Sequence, residues 1–193
     1  MLDRLVTRPL DRERDWYFFR EKFPLTDAVR SQIRELSEAS VRLVWNELVQ
    51  RNQYRHPNQL PHGHWVGNHR ATGPLWTPIW NNPVQPDPVV AFLRRELPWP
   101  DDLPVLFVEM RECATLATWA AFLAAWPNFL YSDENPLLLS WERPEFVTFG
   151  CGGYVHVGSR AEPVAAVDRG RKAGPGPLSC VVRRRNALGG RRF

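Results

Sequence analysis

Residues 118–160 read TWAAFLAAWPNFLYSDENPLLLSWERPEFVTFGCGGYVHVGSR, and this stretch decides the fold class. Thr118 is a good helix N-cap, and the apolar run TWAAFLAAW that it opens predicts a buried helix. Three short apolar segments follow, LLLSW, EFVTFG and YVHVGSR, and each is typical of a strand. Cys151-Gly152-Gly153 separates the last two and favours a hairpin. A helix followed by consecutive short strands indicates an α+β fold.

Two helices are predicted before this stretch in the first quarter of the chain. Capping residues at Thr26-Asp27 precede apolar positions that recur at helical spacing as far as Leu36. Ser37 caps a second helix, whose apolar face extends to about Arg51.

The middle of the chain contributes one more helix and a strand. Residues 52–86 are rich in proline and histidine and show almost no periodicity, so we expect a long loop there. Asp87 and Pro88 then form a cap and a first-turn proline for a helix, and PVLFVEM at 104–110 predicts a buried strand. The expected architecture is one domain over residues 1–160, with about four helices packed on a small, mainly antiparallel sheet.

Charge is distributed unevenly along the chain. The sequence has 25 Lys and Arg against 21 Asp and Glu, a net charge of +4. Residues 161–193 contain eight basic and two acidic residues, so residues 1–160 are mildly acidic. This basic tail suggests either a nucleic-acid-binding arm or a disordered appendage. The second interpretation is favoured, because the tail lacks the interleaved aromatic side chains on which bases stack.

Composition excludes several classes of protein. Hydrophobic residues make up 44% of the chain and nine residues are Trp, so disorder along its whole length is excluded. No apolar run approaches the roughly 20 residues of a membrane span, and the charged start MLDRLVTRPLDRERDW does not resemble a signal peptide. Cys113, Cys151 and Cys180 are too scattered for a disulfide framework or a zinc site. We expect a cytoplasmic protein with free thiols and without a cofactor.

Four histidines in the 52–86 segment are candidate metal ligands: His56, His62, His64 and His69. The His-x-His spacing of His62 and His64 can direct two imidazoles to one ion when the backbone is extended. The segment around them, residues 52–78, offers no Asp, Glu or Cys as a further ligand. We therefore expect these histidines to form ordinary hydrogen bonds and predict no metal site, with a metal-dependent hydrolase as the alternative.

Nucleophile and phosphate motifs do not occur in the sequence. It contains no Gly-x-Ser-x-Gly, and Gly150-Cys151-Gly152-Gly153 precedes neither a helix nor a Lys. The candidate binding residues are instead Asp133 and Glu134, two carboxylates just past a helix end, where the helix dipole disfavours negative charge. A nearby arginine, Arg143 or Arg160, could neutralise them. Trp119 begins an aromatic stripe with Phe122, Trp126 and Phe129, for which a buried core is favoured over a binding surface.

The 118–160 stretch resembles the end of an uncharacterised bacterial family, domain of unknown function 2947. The shared features are a Trp-x-x-Phe-x-x-x-Trp-x-x-Phe helix, an acidic turn at Asp133-Glu134, an apolar strand and a closing Gly158-Ser159-Arg160. The N-terminal piece WYFFREKFPLTDAVRSQIRELSEASVRLVW is also similar, so the resemblance covers most of residues 15–160. It implies a small cytoplasmic bacterial protein without an assigned activity, and it leaves the tail outside the family.

The sequence alone does not reveal a function. The leading hypothesis is a binding protein and not an enzyme, for example an immunity-type inhibitor that neutralises another bacterial protein. Its basis is an acidic, aromatic-rich domain without a catalytic motif, since aromatic residues are favoured anchors in interfaces. The alternatives are a metal-dependent hydrolase that uses the His56–His69 segment and nucleic-acid binding through the tail.

Overall fold

The structure, a computed structural model, describes residues 2–51, 54–131, 135–150 and 152–161. Within these ranges the α-helices are α1 (Asp27–Arg30), α2 (Glu38–Val44), α3 (Trp76–Asn81), α4 (Pro88–Glu96) and α5 (Trp119–Phe129). The strands are β1 (Thr7–Pro9), β2 (Ile33–Leu36), β3 (His69–Leu75), β4 (Pro104–Met110), β5 (Cys113–Thr118), β6 (Leu137–Leu139), β7 (Glu145–Phe149) and β8 (Tyr154–Ser159). A π-helical turn, Trp45–Val49, extends α2.

All eight strands form one antiparallel sheet. Their order is β1-β2-β5-β4-β6-β7-β8-β3, and every neighbouring pair is antiparallel. The α+β class is therefore confirmed, while the sheet is larger than the small one that the sequence predicted. The additional strands β1, β2, β3 and β5 are short or lack a clear alternation of apolar and polar residues, which is why their pattern was not recognisable.

Helices cover both faces of the sheet. In β4 the four residues Val105 to Val108 are all buried, which requires packing on each side of the strand. Val105 and Phe107 belong to the core formed with α4 and α5. Leu106 and Val108 belong to a second core, formed with α2 and the π-helical turn around Trp45.

The aromatic stripe of α5 lies in the first of these cores, as the sequence favoured. Thr118 caps the helix by accepting a hydrogen bond from the Ala121 amide. The four stripe residues are at most 1% exposed: Trp119, Phe122, Trp126 and Phe129. Phe122 and Phe129 both lie against Phe107 of β4, with ring centroids 6.1 and 5.1 Å apart. The prediction of a buried helix is confirmed.

The helix predicted from Thr26 to Leu36 is wrong in its second half. Thr26 does cap a helix, but α1 ends at Arg30, and β2 begins at Ile33. β2 pairs with β1 on one side and with β5 on the other. Pairing on both edges satisfies the backbone amides and carbonyls of β2, so tertiary context overrides a helical spacing of only a few apolar residues.

The segment 52–86 is not the structureless loop that its composition suggested. It contains β3 and α3, together with 3-10 turns at Pro57–Gln59 and Trp65–Gly67. β3 pairs only with β8, lies at the edge of the sheet and has two register irregularities. The Gly and Pro in HRATGPL weaken the strand pattern of this segment, because in strands both residues are tolerated chiefly at edges and bulges.

In the ranges described above, no helix combines the length and the apolar character needed to cross a membrane.

The basic tail lies outside the described residues apart from Ala161, so the domain boundary at residue 160 stays a prediction.

Candidate functional site

A cavity of about 350 Å³ lies on the α2 side of the sheet, at the end formed by β7, β8 and β3. We call it the histidine cavity, because His69 and His156 form part of its wall. The 3-10 turns at Pro57–Gln59 and Trp65–Gly67 border it, as do Asn135 and the β7–β8 connection at Gly150 and Gly152. It therefore joins parts of the chain that are far apart in sequence.

Strand register places the polar groups of this site side by side. His156 of β8 pairs with Thr148 of β7 on one side and with Thr72 of β3 on the other. Val155 and Val157, its neighbours in β8, point into the α4–α5 core. Because side chains alternate between the faces of a strand, His156 points to the opposite face.

His69 and His156 stack on each other. Their ring centroids are 4.3 Å apart and the ring planes differ by 8°. The Nδ1 atom of His156 lies 3.1 Å from the Thr72 hydroxyl, and Nε2 of His69 lies 3.3 Å from the Thr148 hydroxyl. The His156 ring is thus oriented by a threonine of the adjacent strand β3, and the His69 ring by a threonine of β7, which lies on the other side of β8.

A glycine permits this close approach. Gly158 lies opposite His69 in the register of β3 and β8. A Cβ atom at Gly158 would come within 2.2 Å of the Asn68 carbonyl oxygen and 2.4 Å of the Phe146 ring. Only glycine therefore allows the start of β3 to lie against β8, where His69 reaches His156.

The surroundings of both imidazoles favour the neutral ring. Burial, and to a smaller extent the neighbouring His156 ring, lower the pKa of His69 to about 4. A hydrogen bond from the His69 ring to the Val66 carbonyl opposes this change without cancelling it. Burial also lowers the pKa of His156. The described lining residues include no Asp, Glu, Lys or Arg, so this wall of the cavity carries no formal charge.

Two side-chain amides also line the cavity, those of Asn58 and Asn135. Asn135 donates a hydrogen bond from its amide nitrogen to the Asn58 side-chain oxygen. Its backbone has a φ of 61°, and it is the one non-glycine residue with a positive φ in the described part of the chain. Such a conformation costs on the order of 1–3 kcal/mol and is often found at functional sites.

Gly150 lines the cavity beside both Asn135 and His156. A Cβ atom placed there would lie 3.5 Å from Asn135 Oδ1 and 3.6 Å from His156 Nε2, which is ordinary van der Waals contact. Asn135 Oδ1 and the Nε2 edge of His156 therefore flank the same space. The hydrogen bond to Thr72 uses Nδ1, on the other side of the His156 ring. Among the described residues, Nε2 of His156 forms no hydrogen bond.

The two histidines proposed as weak metal candidates do not contribute to this site. His64 caps the Trp65–Gly67 turn through Nδ1, and its Nε2 lies 3.2 Å from the Val49 carbonyl oxygen. His62 is exposed and lies outside the cavity lining. Within the described ranges, no group of three or more His, Cys, Asp or Glu side chains is arranged to hold a metal ion.

Of the four candidate binding residues, the described structure includes Trp119 and Arg160. Asp133 and Glu134 lie outside the described residues. Trp119 has no exposed surface, so its side chain belongs to the core and is not part of a partner-facing surface. Arg160 donates hydrogen bonds to the carbonyl oxygens of Ser140 and Arg143, so its side chain stabilises the β6–β7 connection.

Sequence reasoning missed most of the residues that line the histidine cavity. Only His69 was among the candidates, while His156, Thr148 and Asn135 were not. A weak signal was present: in YVHVGS, the polar His156 alternates with buried Val155 and Val157. That alternation indicates which face His156 points to, but not what lies opposite it.

Comparison with known proteins gives a family and no activity. No curated protein and no solved structure matches the chain. A family described as protein of unknown function (DUF2947) matches residues 9–158, which include every described residue that lines the histidine cavity. The family to which the sequence was similar is thereby confirmed. The chain belongs to the DUF2947 family of proteins of unknown function.

Proposed function

We propose that this protein is a binding protein that holds a small, uncharged, hydrogen-bonding molecule in the histidine cavity. The observation that supports this most directly is the unpaired Nε2 of His156, which flanks the same space as Asn135 Oδ1. A ligand group at that point would complete the hydrogen bonding of His156. Thr72 fixes the ring so that no reorientation is needed on binding.

Charge argues for an uncharged ligand. An ion that enters a site without an opposite charge loses hydration without compensation. The described lining residues supply imidazoles that are neutral at pH 7, amides, a hydroxyl and glycine backbone. A cavity of about 350 Å³ is near the lower limit for ligand sites and suits a molecule the size of a nucleobase or a monosaccharide.

The test uses adenine, uracil, glucose and ribose as probes in saturation-transfer NMR with the full-length protein. Gly150→Leu is the blocking variant, because a side chain at Gly150 enters the space between His156 and Asn135. Gly150→Ala is the matched control, because its Cβ meets only ordinary contacts. We expect at least one probe to bind the wild type and Gly150→Ala, and to be lost from Gly150→Leu. Equal signals from all three proteins would refute the proposal.

The sequence also suggested three other functions. An immunity-type inhibitor that binds a protein toxin stays a prediction, and so does nucleic-acid binding through the tail, which lies outside the described residues. The metal-dependent hydrolase that uses the His56–His69 segment also stays a prediction. Both ring nitrogens of His64 face backbone groups, so this ring is not free to bind a metal ion.

A further inference from the structure

A second cavity, of about 540 Å³, lies on the other side of the sheet. We call it the Lys22 cavity. It is bordered by the segment from Lys22 to Leu25, by the connection that precedes α4, by the start of α4 and by the second half of α5. Its wall is largely apolar, with Leu25, Val90, Ala91, Leu123, Ala124 and Pro127 among its residues. Its volume falls within the range of small-molecule sites.

Three polar groups of the wall besides Lys22 are engaged by the protein: the Asp87 carboxylate, the Trp126 indole N–H and the Asn128 amide nitrogen. Oδ1 of Asp87 accepts the amides of Val89 and Val90, and Oδ2 accepts the indole N–H of Trp126 at 2.8 Å. The amide nitrogen of Asn128 donates to the carbonyl oxygens of Tyr17 and Phe23. Asn128 thereby anchors the segment that carries Lys22.

Lys22 is different, because it has no carboxylate partner among the described residues. Its ammonium lies 5.2 Å from the ring centroid of Phe23 and 5.1 Å from that of Trp80, in cation–π contact. Arg20 adds a second cation 5.4 Å from the same Trp80 ring. Two cations therefore lie beside a largely apolar cavity, and the one carboxylate among its described lining residues, that of Asp87, is engaged by the Val89 and Val90 amides and the Trp126 indole.

We infer that the Lys22 cavity binds an amphipathic organic anion, a monocarboxylate with an apolar chain. The chain would lie against the apolar wall of α4 and α5, where burial removes its apolar surface from water. The carboxylate would pair with Lys22. An uncharged apolar molecule would gain the first interaction only, so charge complementarity sets the preference for an acid.

Decanoate and decanol form a matched pair of probes, because they share a ten-carbon chain and differ in charge. Calorimetric titration of the full-length protein, below the concentration at which micelles form, compares their affinities. We expect one decanoate per chain, bound more tightly than decanol, with a preference that shrinks as salt is raised, since Lys22 is exposed. Equal affinity for the two probes would overturn the inference.

Variants locate the site. Lys22→Ala should weaken decanoate about fivefold, the upper range for an exposed charge pair, and leave decanol unchanged. Lys22→Arg should retain decanoate binding, which separates charge from any effect on folding. Ala124→Trp, at an exposed position of α5 in the cavity wall, should abolish binding of both probes. Arg42→Ala, on the opposite side of the sheet, is the control and should bind decanoate as the wild type does.

This inference is independent of the histidine cavity. Gly150→Leu should bind decanoate normally, because the two cavities lie on opposite faces of the sheet and share no described lining residue. Unchanged decanoate binding in Lys22→Ala, or normal binding in Ala124→Trp, would show that the anion binds elsewhere and refute the assignment.

Discussion

The indole N–H of Trp126 donates a 2.8 Å hydrogen bond to Oδ2 of Asp87, while Oδ1 of the same carboxylate accepts the amides of Val89 and Val90. One side chain thus caps α4 and satisfies a polar atom of α5. Trp126 is 1% exposed and stacks with Phe149 of β7 at an interplanar angle of 6°. This pair therefore links α4, α5 and the sheet.

Replacing Trp126 by Ala should cost about 3–5 kcal/mol of unfolding free energy, the usual range for deleting a large buried aromatic side chain. That loss is a large part of the roughly 5–15 kcal/mol that stabilises a typical domain. Urea denaturation followed by circular dichroism measures it. Trp16→Ala is the control, because Trp16 is 46% exposed and should cost much less. Equal losses in the two variants would contradict the core assignment.

Replacing Asp87 by Ala should lower the free energy of unfolding by more than the loss of an ordinary N-cap does. Loss of the cap itself accounts for about 0.5–2 kcal/mol. The indole N–H of Trp126 would also be left buried without a partner, which adds roughly 1–3 kcal/mol. In a Trp126→Phe background only the first cost applies, so a double-mutant cycle should give a coupling of about 1–3 kcal/mol. Additive losses would show that the 2.8 Å contact contributes nothing to stability.

Stability should fall as the pH drops below neutrality, in part because of His69. Its pKa is about 4 in the folded protein against 6.5 for a free imidazole. The folded state therefore favours the neutral ring. The stability that this preference provides is fully present above pH 6.5 and is lost as the pH falls toward about 4. In His69→Gln the urea midpoint should change less with pH between pH 7 and pH 4.5 than in the wild type. An NMR titration of the wild-type ring should show its lowered pKa directly.

Glu35 should act with the opposite sign. Burial raises its pKa above the usual 4.5, although the Thr115 hydroxyl donates a 3.1 Å hydrogen bond to Oε2. The folded state thus favours the protonated carboxyl, and this contribution is present below pH 4.5 and is lost as the pH rises through the raised pKa. Glu35→Gln should therefore be more stable than the wild type at pH 7, with a difference that vanishes near pH 4. A less stable variant at pH 7 would contradict this assignment.

Sequence patterns identified the parts of the fold that local chemistry dictates. Thr118, Ser37 and Asp87 each cap the helix that they were expected to cap, because an N-cap depends only on residues two or three positions away. The strands β4, β6, β7 and β8 are recognisable because they are short, strongly apolar and bounded by turns. β2 and β3 were missed because their stability comes from partners distant in sequence, β5 and β8.

The sequence by itself determined the α+β class, the buried aromatic face of α5 and the family. Each of these follows from periodicity, capping or a contiguous motif, which the linear chain records. The tertiary structure alone decided that His69 lies against His156, with Thr72, Thr148 and Asn135 around them. That site depends on the register of β3, β8 and β7 and on the space left by Gly158. Register is set by cross-strand pairing and packing between distant segments, so no local pattern in the sequence encodes it.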